Sequence, residues 1–153
     1  MDVEHYFLRY AFPCAEGKVR RGEITSDDLK RLEDCVLNYK PVSRSELERI
    51  FSTAVNRLRK SMGDDFWNFE AIRKYFHEIH NDEINNGVGM YKDAPEQLRD
   101  LSRVYRARVI EEKDRFVKVD YEKAFRWVSK DMIPDLKVGD EVYIHFFYAV
   151  EKC

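Results

Sequence analysis

The feature that most limits the fold is a single change of hydrophobic period near residue 102. Before it, apolar side chains recur at helical spacing; after it, they alternate with polar ones. A chain that switches once and does not switch back keeps its helices apart from its strands. The expected class is therefore α+β: an N-terminal helical bundle of four or five helices over residues 1–102, followed by a small OB-like β-barrel over residues 103–153. Parallel strands alternating with helices would contradict this expectation.

The strongest helical signal follows Ser43. Leu47, Ile50, Phe51, Ala54, Val55, Leu58 and Met62 form one apolar stripe at i, i+3, i+4 spacing. Ser43 and Glu46 read as a capping box, with Pro41 before and Gly63 after as punctuation. Thr25 and Asp28 precede a shorter helix carrying Leu29, Leu32, Val36 and Tyr39. A first helix presents Val3, Phe7, Tyr10 and Cys14, and Pro13 should break it near Phe12. A fourth should run over 65–84 with Phe69, Ile72, Phe76 and Ile79 on its face. Asp93-Ala94-Pro95-Glu96 opens a short fifth. Leu47, Phe51, Val55, Leu58, Ile72 and Phe76 are the expected core.

Beyond the switch, strands are expected at 104–110, 116–120 and 125–128. The turn Val138-Gly139-Asp140 leads into an apolar run over 141–150, read as a strand with alternating sides. Met132 to Leu136 reads as a crossing turn. Short strands spaced in this way suit a small barrel.

Composition narrows the function. The chain has 27 basic and 29 acidic side chains for a net charge of −2, which is not the balance of a strongly basic nucleic-acid binder. Its 44% hydrophobic content supports a real core, and no apolar run reaches the length of a membrane span. The start Met1-Asp2-Val3-Glu4-His5 lacks the pattern of a signal peptide. Cys14, Cys35 and Cys153 are odd in number and widely spaced, which fits a reducing compartment rather than a disulfide framework. A cytoplasmic protein with no membrane partner is expected.

The β half resembles the hydrogenase-maturation chaperones of the HypC/HupF type. The resemblance rests on the run from Leu136 to Val150, with its Val138-Gly139-Asp140 turn and His145, and on Val117-Lys118-Val119-Asp120, Arg126-Trp127-Val128 and Met132-Ile133-Pro134. It implies a small barrel that engages a protein partner, with His145, Tyr148, Gly139 and Asp140 as partner-binding positions. Members of that family begin Met-Cys, and the cysteine is thought to hold an iron cyanide/carbonyl unit. Aligning Arg108-Val109 with the family's Lys-Val places Ser102 at the cysteine's position. A serine hydroxyl is a poor iron ligand at neutral pH, so the resemblance implies the barrel without the iron chemistry.

Local motifs for catalysis are absent: there is no G-x-S-x-G, no P-loop and no G-x-G-x-x-G. His77-Glu78-Ile79-His80 spaces its histidines at i, i+3 instead of the zincin i, i+4. His77 and His80 could still form a looser divalent-metal site with Asp82 or Glu83. No other cofactor is expected. Tyr105, Phe116, Tyr121, Phe125, Trp127, Tyr143, Phe147 and Tyr148 lie among Arg103, Arg106, Arg108, Lys118 and Arg126, as on a single-strand stacking surface. Glu111, Glu112, Asp120 and Glu122 dilute that charge, so nucleic acid is the lesser alternative. The expected function is a non-enzymatic accessory or scaffold protein that binds a protein partner, and the resemblance implies a HypC/HupF-like chaperone relative. The alternatives are a metal-binding helper using His77 and His80, and a single-strand nucleic-acid-binding barrel.

Overall fold

Short polar side chains set the helix starts. Asp2 caps α1 (Val3–Ala11) by accepting from the His5 N–H at 2.8 Å. Pro13 falls in a 3₁₀ turn, Phe12–Cys14, that separates α1 from α2 (Ala15–Arg20), as its missing N–H requires. Thr25 and Asp28 form a complete capping box on α3 (Ser26–Asn38), both bonds being 3.0 Å long. Thr25→Ala should cost about 1 kcal/mol. Urea denaturation would measure this as a lowered midpoint with an unchanged slope.

The computed structural model describes residues 1–122 and 124–153. Contacts divide the chain into two units, Met1–Ile79 and His80–Cys153. In the first, the stripe after Ser43 lies on two helices, α4 (Arg44–Ile50) and α5 (Ser52–Met62), where the sequence suggested one. Phe51 leaves helical geometry at φ −107°, ψ 43°, yet the stripe holds: Leu47, Phe51, Val55 and Leu58 are all buried. The Ser43 box is half formed. Its hydroxyl accepts from the Glu46 N–H at 3.2 Å, but the Glu46 carboxylate turns to Arg31.

The expected helix over 65–84 starts later, at α6 (Phe69–Lys74), where Asn68 accepts from the Ala71 N–H at 2.9 Å. It widens into a π turn, Tyr75–Ile79, before α7 (His80–Asn85). Phe7 is fully buried at the centre of the first unit. Its ring lies 6.0 Å from Phe51, 5.1 Å from Trp67 and 5.9 Å from Phe76. Ile72 and Phe76 are buried as expected.

The second unit begins before the change of period. Besides α7 it holds a 3₁₀ turn, Gly89–Tyr91, and α8 (Glu96–Ser102), ahead of a closed five-stranded barrel. Side chains tie these helices to the sheet. Asn81 bonds both the N–H and the C=O of Val104, at 2.9 and 2.8 Å, as a neighbouring strand would.

The strands are β1 (Tyr105–Lys113), β2 (Phe116–Tyr121), β3 (Ala124–Ser129), β4 (Glu141–His145) and β5 (Tyr148–Lys152), in the order β1-β2-β3-β5-β4. β1 is long enough to pair with β4 through residues 105–108 and with β2 through residues 108–113, and the register shifts between Val109 and Glu111. Such a bulge supplies the bend that closure needs. The Val138-Gly139-Asp140 turn meets β1 there. Gly139 donates to the Val109 carbonyl and Val109 donates to that of Asp140, both at 2.9 Å. Gly139 has φ +97°, a conformation that glycine alone adopts easily.

One strand expectation is corrected. The run over 141–150 is a hairpin, β4 and β5, turning at Phe146 and Phe147, with His145 paired to Tyr148. Phe146 has φ 52°, and long-range bonds hold the turn. Phe146 donates to the Leu101 carbonyl at 3.0 Å, and the Phe147 carbonyl accepts from Ser129 at 2.8 Å. Among the described residues no helix is long and apolar enough to cross a membrane.

Candidate binding face of the barrel

The outer face of β1, β2 and β3 carries three exposed aromatics, Phe116, Phe125 and Trp127. Val117, Val119, Tyr121, Arg126 and Val128 point inward and are buried. The alternate positions, Phe116, Lys118 and Asp120 on β2 and Phe125 and Trp127 on β3, therefore point outward. Phe125 is 61% exposed, Phe116 49% and Trp127 38%, and Ile110 at the bulge of β1 adds an exposed aliphatic group. Trp127 lies opposite Lys118, whose ammonium sits 5.2 Å from the centre of the Phe125 ring.

Charge on this face is compensated. Arg108 lies opposite Asp120, and Glu111 lies opposite Lys118. Nearby, Glu112 pairs with Lys130, Asp131 with Arg115, and Glu141 with Arg106.

A buried polar network holds β3 from inside. Arg126, 7% exposed, donates to the Phe146 carbonyl at 2.8 Å, to the Tyr121 hydroxyl at 3.0 Å and to the Asp100 carboxylate at 3.2 Å. Asp100 also accepts from the Tyr105 hydroxyl at 2.7 Å and the Tyr121 hydroxyl at 2.8 Å. Four elements converge on one carboxylate and one guanidinium. They fix the backbone from which Phe125 and Trp127 project.

The expected site residues separate. His145 is fully buried, its ring 5.2 Å from that of His80, so it offers no surface to a partner in this conformation. Tyr148 is half-buried beside it, at one end of the β4–β5 hairpin. Gly139 and Asp140 lie at the other end, before β4, where Asp140 accepts from the Lys137 N–H at 3.1 Å and pairs with Lys152. His77 and His80 have different neighbours: the His77 Nε2 is 2.7 Å from the Tyr10 hydroxyl, whereas His80 meets His145. Among the described residues no group of three or more His, Cys, Asp or Glu is placed to hold a metal ion. Ser102 is fully buried and donates to the Leu98 carbonyl at 2.8 Å. Burial pushes the Cys14 thiol up to about 12, which keeps it protonated and unreactive at neutral pH.

Of the aromatics and cations read as one stacking surface, Tyr121 and Arg126 face the interior instead. Asp100 had no role in the sequence reading. Its signal was positional: a carboxylate in the last turn of a helix opposes the dipole and calls for a cation or hydrogen-bond donors.

Compared with known proteins, the chain matches no family model, and no curated protein is significantly similar to it.

Proposed function

We propose that this chain is a non-enzymatic accessory protein whose barrel binds a protein partner through the outer face of β1, β2 and β3. The observation that carries the reading is the exposed cluster of Phe116, Phe125 and Trp127 on one sheet face. Aromatic side chains surrounded by polar neighbours are the usual anchors of protein interfaces. The paired charges around them favour a polypeptide over a polyanion, because a phosphate backbone needs an uncompensated basic track. The resemblance of the β half to HypC/HupF chaperones points the same way, since those proteins engage a precursor protein.

Truncating an interface anchor should weaken the complex without unfolding the barrel. Phe125→Ala and Trp127→Ala are each expected to cost about 2 kcal/mol of partner binding, roughly thirtyfold in affinity, with little change in Tm. Titration of the captured partner against each variant measures this. Unchanged affinity in both would refute the assigned face. Tight binding to single-stranded oligonucleotides that weakens steeply with salt would favour the nucleic-acid alternative.

A further inference from the structure

We propose that the partner docks as an extended strand on the open edge of β3, an inference that rests on the binding face assigned above. Closure of the barrel between β3 and β5 is a single residue pair, Ser129 with Tyr148. The Ser129 N–H donates to the Phe147 carbonyl at 2.8 Å. The next N–H, of Lys130, turns the other way and donates to the Arg115 carbonyl at 3.0 Å, beside β2. Backbone groups alternate in direction along a strand, so those of Phe125 and Trp127 point as those of Ser129 do, away from β2. Among the described residues nothing bonds them on that side.

Phe125 and Trp127 therefore each present an N–H and a C=O along one line, about 7 Å apart from residue to residue. Only another extended backbone matches that pattern, which is why unpaired edges recruit strands. A proline, a bulge or an outward charge commonly blunts such an edge. β3 has no proline, pairs with β2 in unbroken register, and turns its one charge, Arg126, inward to Asp100. In an antiparallel pair, residues directly opposite each other share a face. The incoming residues across from Phe125 and Trp127 lie beside those two exposed rings, and apolar side chains at alternate positions fit them. A second copy of the chain is the poorer occupant. Two edges this short exchange only about four backbone hydrogen bonds, too few to hold two folded barrels together. A flexible segment can cover the rings as well.

Peptides selected from a displayed random library on the full chain are the probe, and a backbone scan of one of them is the test. N-methylation of single peptide amides should weaken binding roughly tenfold at every second position and leave the positions between within about twofold. Bound peptide should slow hydrogen exchange of the Phe125 and Trp127 amides by about tenfold or more. Replacing the Trp127 amide by an ester, which keeps the indole and removes the N–H, should weaken binding about three- to tenfold. Methylation effects without alternation, or unchanged exchange at both amides, would overturn the edge. So would a library that yields no peptide with a Kd below about 0.1 mM. If the ester binds like the wild type while Trp127→Ala still weakens binding, the face stands and the edge is refuted. If Phe125→Ala and Trp127→Ala are also indifferent, the face fails with it. A chain that is dimeric without peptide, and monomeric as the ester, gives the edge to a second copy and overturns the docked partner.

Discussion

Asp100→Ala should lower the stability of the second unit by about 2–3 kcal/mol, a fall of roughly 5–10 °C in Tm. The substitution leaves the buried Arg126 guanidinium without its carboxylate and frees the hydroxyls of Tyr105 and Tyr121. Breaking a buried ion pair costs about 3–5 kcal/mol, and the lower figure applies because the Asp100 side chain is 36% exposed. Arg126→Met should cost less, since Asp100 can then be solvated at the surface. The pH dependence carries a second sign. Partial burial acts to raise the Asp100 pKa, but the bonds from Tyr105 and Tyr121 and the Arg126 charge outweigh it and hold the carboxyl below its ordinary value. A depressed carboxylate stabilises the fold above its unfolded pKa of about 3.9 and loses that effect as pH falls through the folded value. The wild type should therefore lose stability below about pH 4 more steeply than Asp100→Ala. Thermal melts of both proteins across that range decide it, and parallel profiles would remove Asp100 from the account.

Phe7→Ala is expected to be the most damaging substitution in the first unit, at about 3–5 kcal/mol. Its ring has no exposed surface and meets Phe51, Trp67 and Phe76, which come from three other segments. Removing it opens a cavity that those rings cannot fill without leaving their own contacts, and each lost aromatic pair adds about 0.5–1.5 kcal/mol beyond its buried area. Phe7→Leu, which keeps most of the volume, should cost less than half as much. Denaturant titration distinguishes the two, and equal small losses would show that this cluster is not the core of the bundle.

Periodicity made much of the architecture legible. The stripe from Leu47 to Leu58 is buried because its spacing places those residues on one helical face. The Val138-Gly139-Asp140 turn was readable because glycine meets a backbone need that the positive φ of Gly139 confirms. The Phe146-Phe147 turn was not, since neither residue is a usual turn former. Bonds to Leu101 and Ser129, distant in sequence, hold it. That turn also ends the alternation of faces beyond Ile144, and His145, a partner-binding position only by the HypC/HupF resemblance, is fully buried. The Ser43 cap was legible, but only half of its box forms, because the Glu46 carboxylate serves Arg31 rather than its own helix end. Strand alternation accounts for the exposure of Phe125 and Trp127 and equally for the burial of Tyr121, which lies on the inward side of β2 with Val117 and Val119 and whose hydroxyl joins the Asp100–Arg126 network.

The central claim is that a polypeptide docks on Phe125 and Trp127, and photo-crosslinking from position 127 tests it most directly. A benzophenone side chain at position 127, activated in cells that express the protein, should give a discrete protein adduct. The same probe at position 138, where Val138 is 56% exposed before β4, should not give that adduct. Mass spectrometry of the adduct identifies the partner class. A nuclease-sensitive adduct at 127, or the same protein adduct from both positions, would contradict the account.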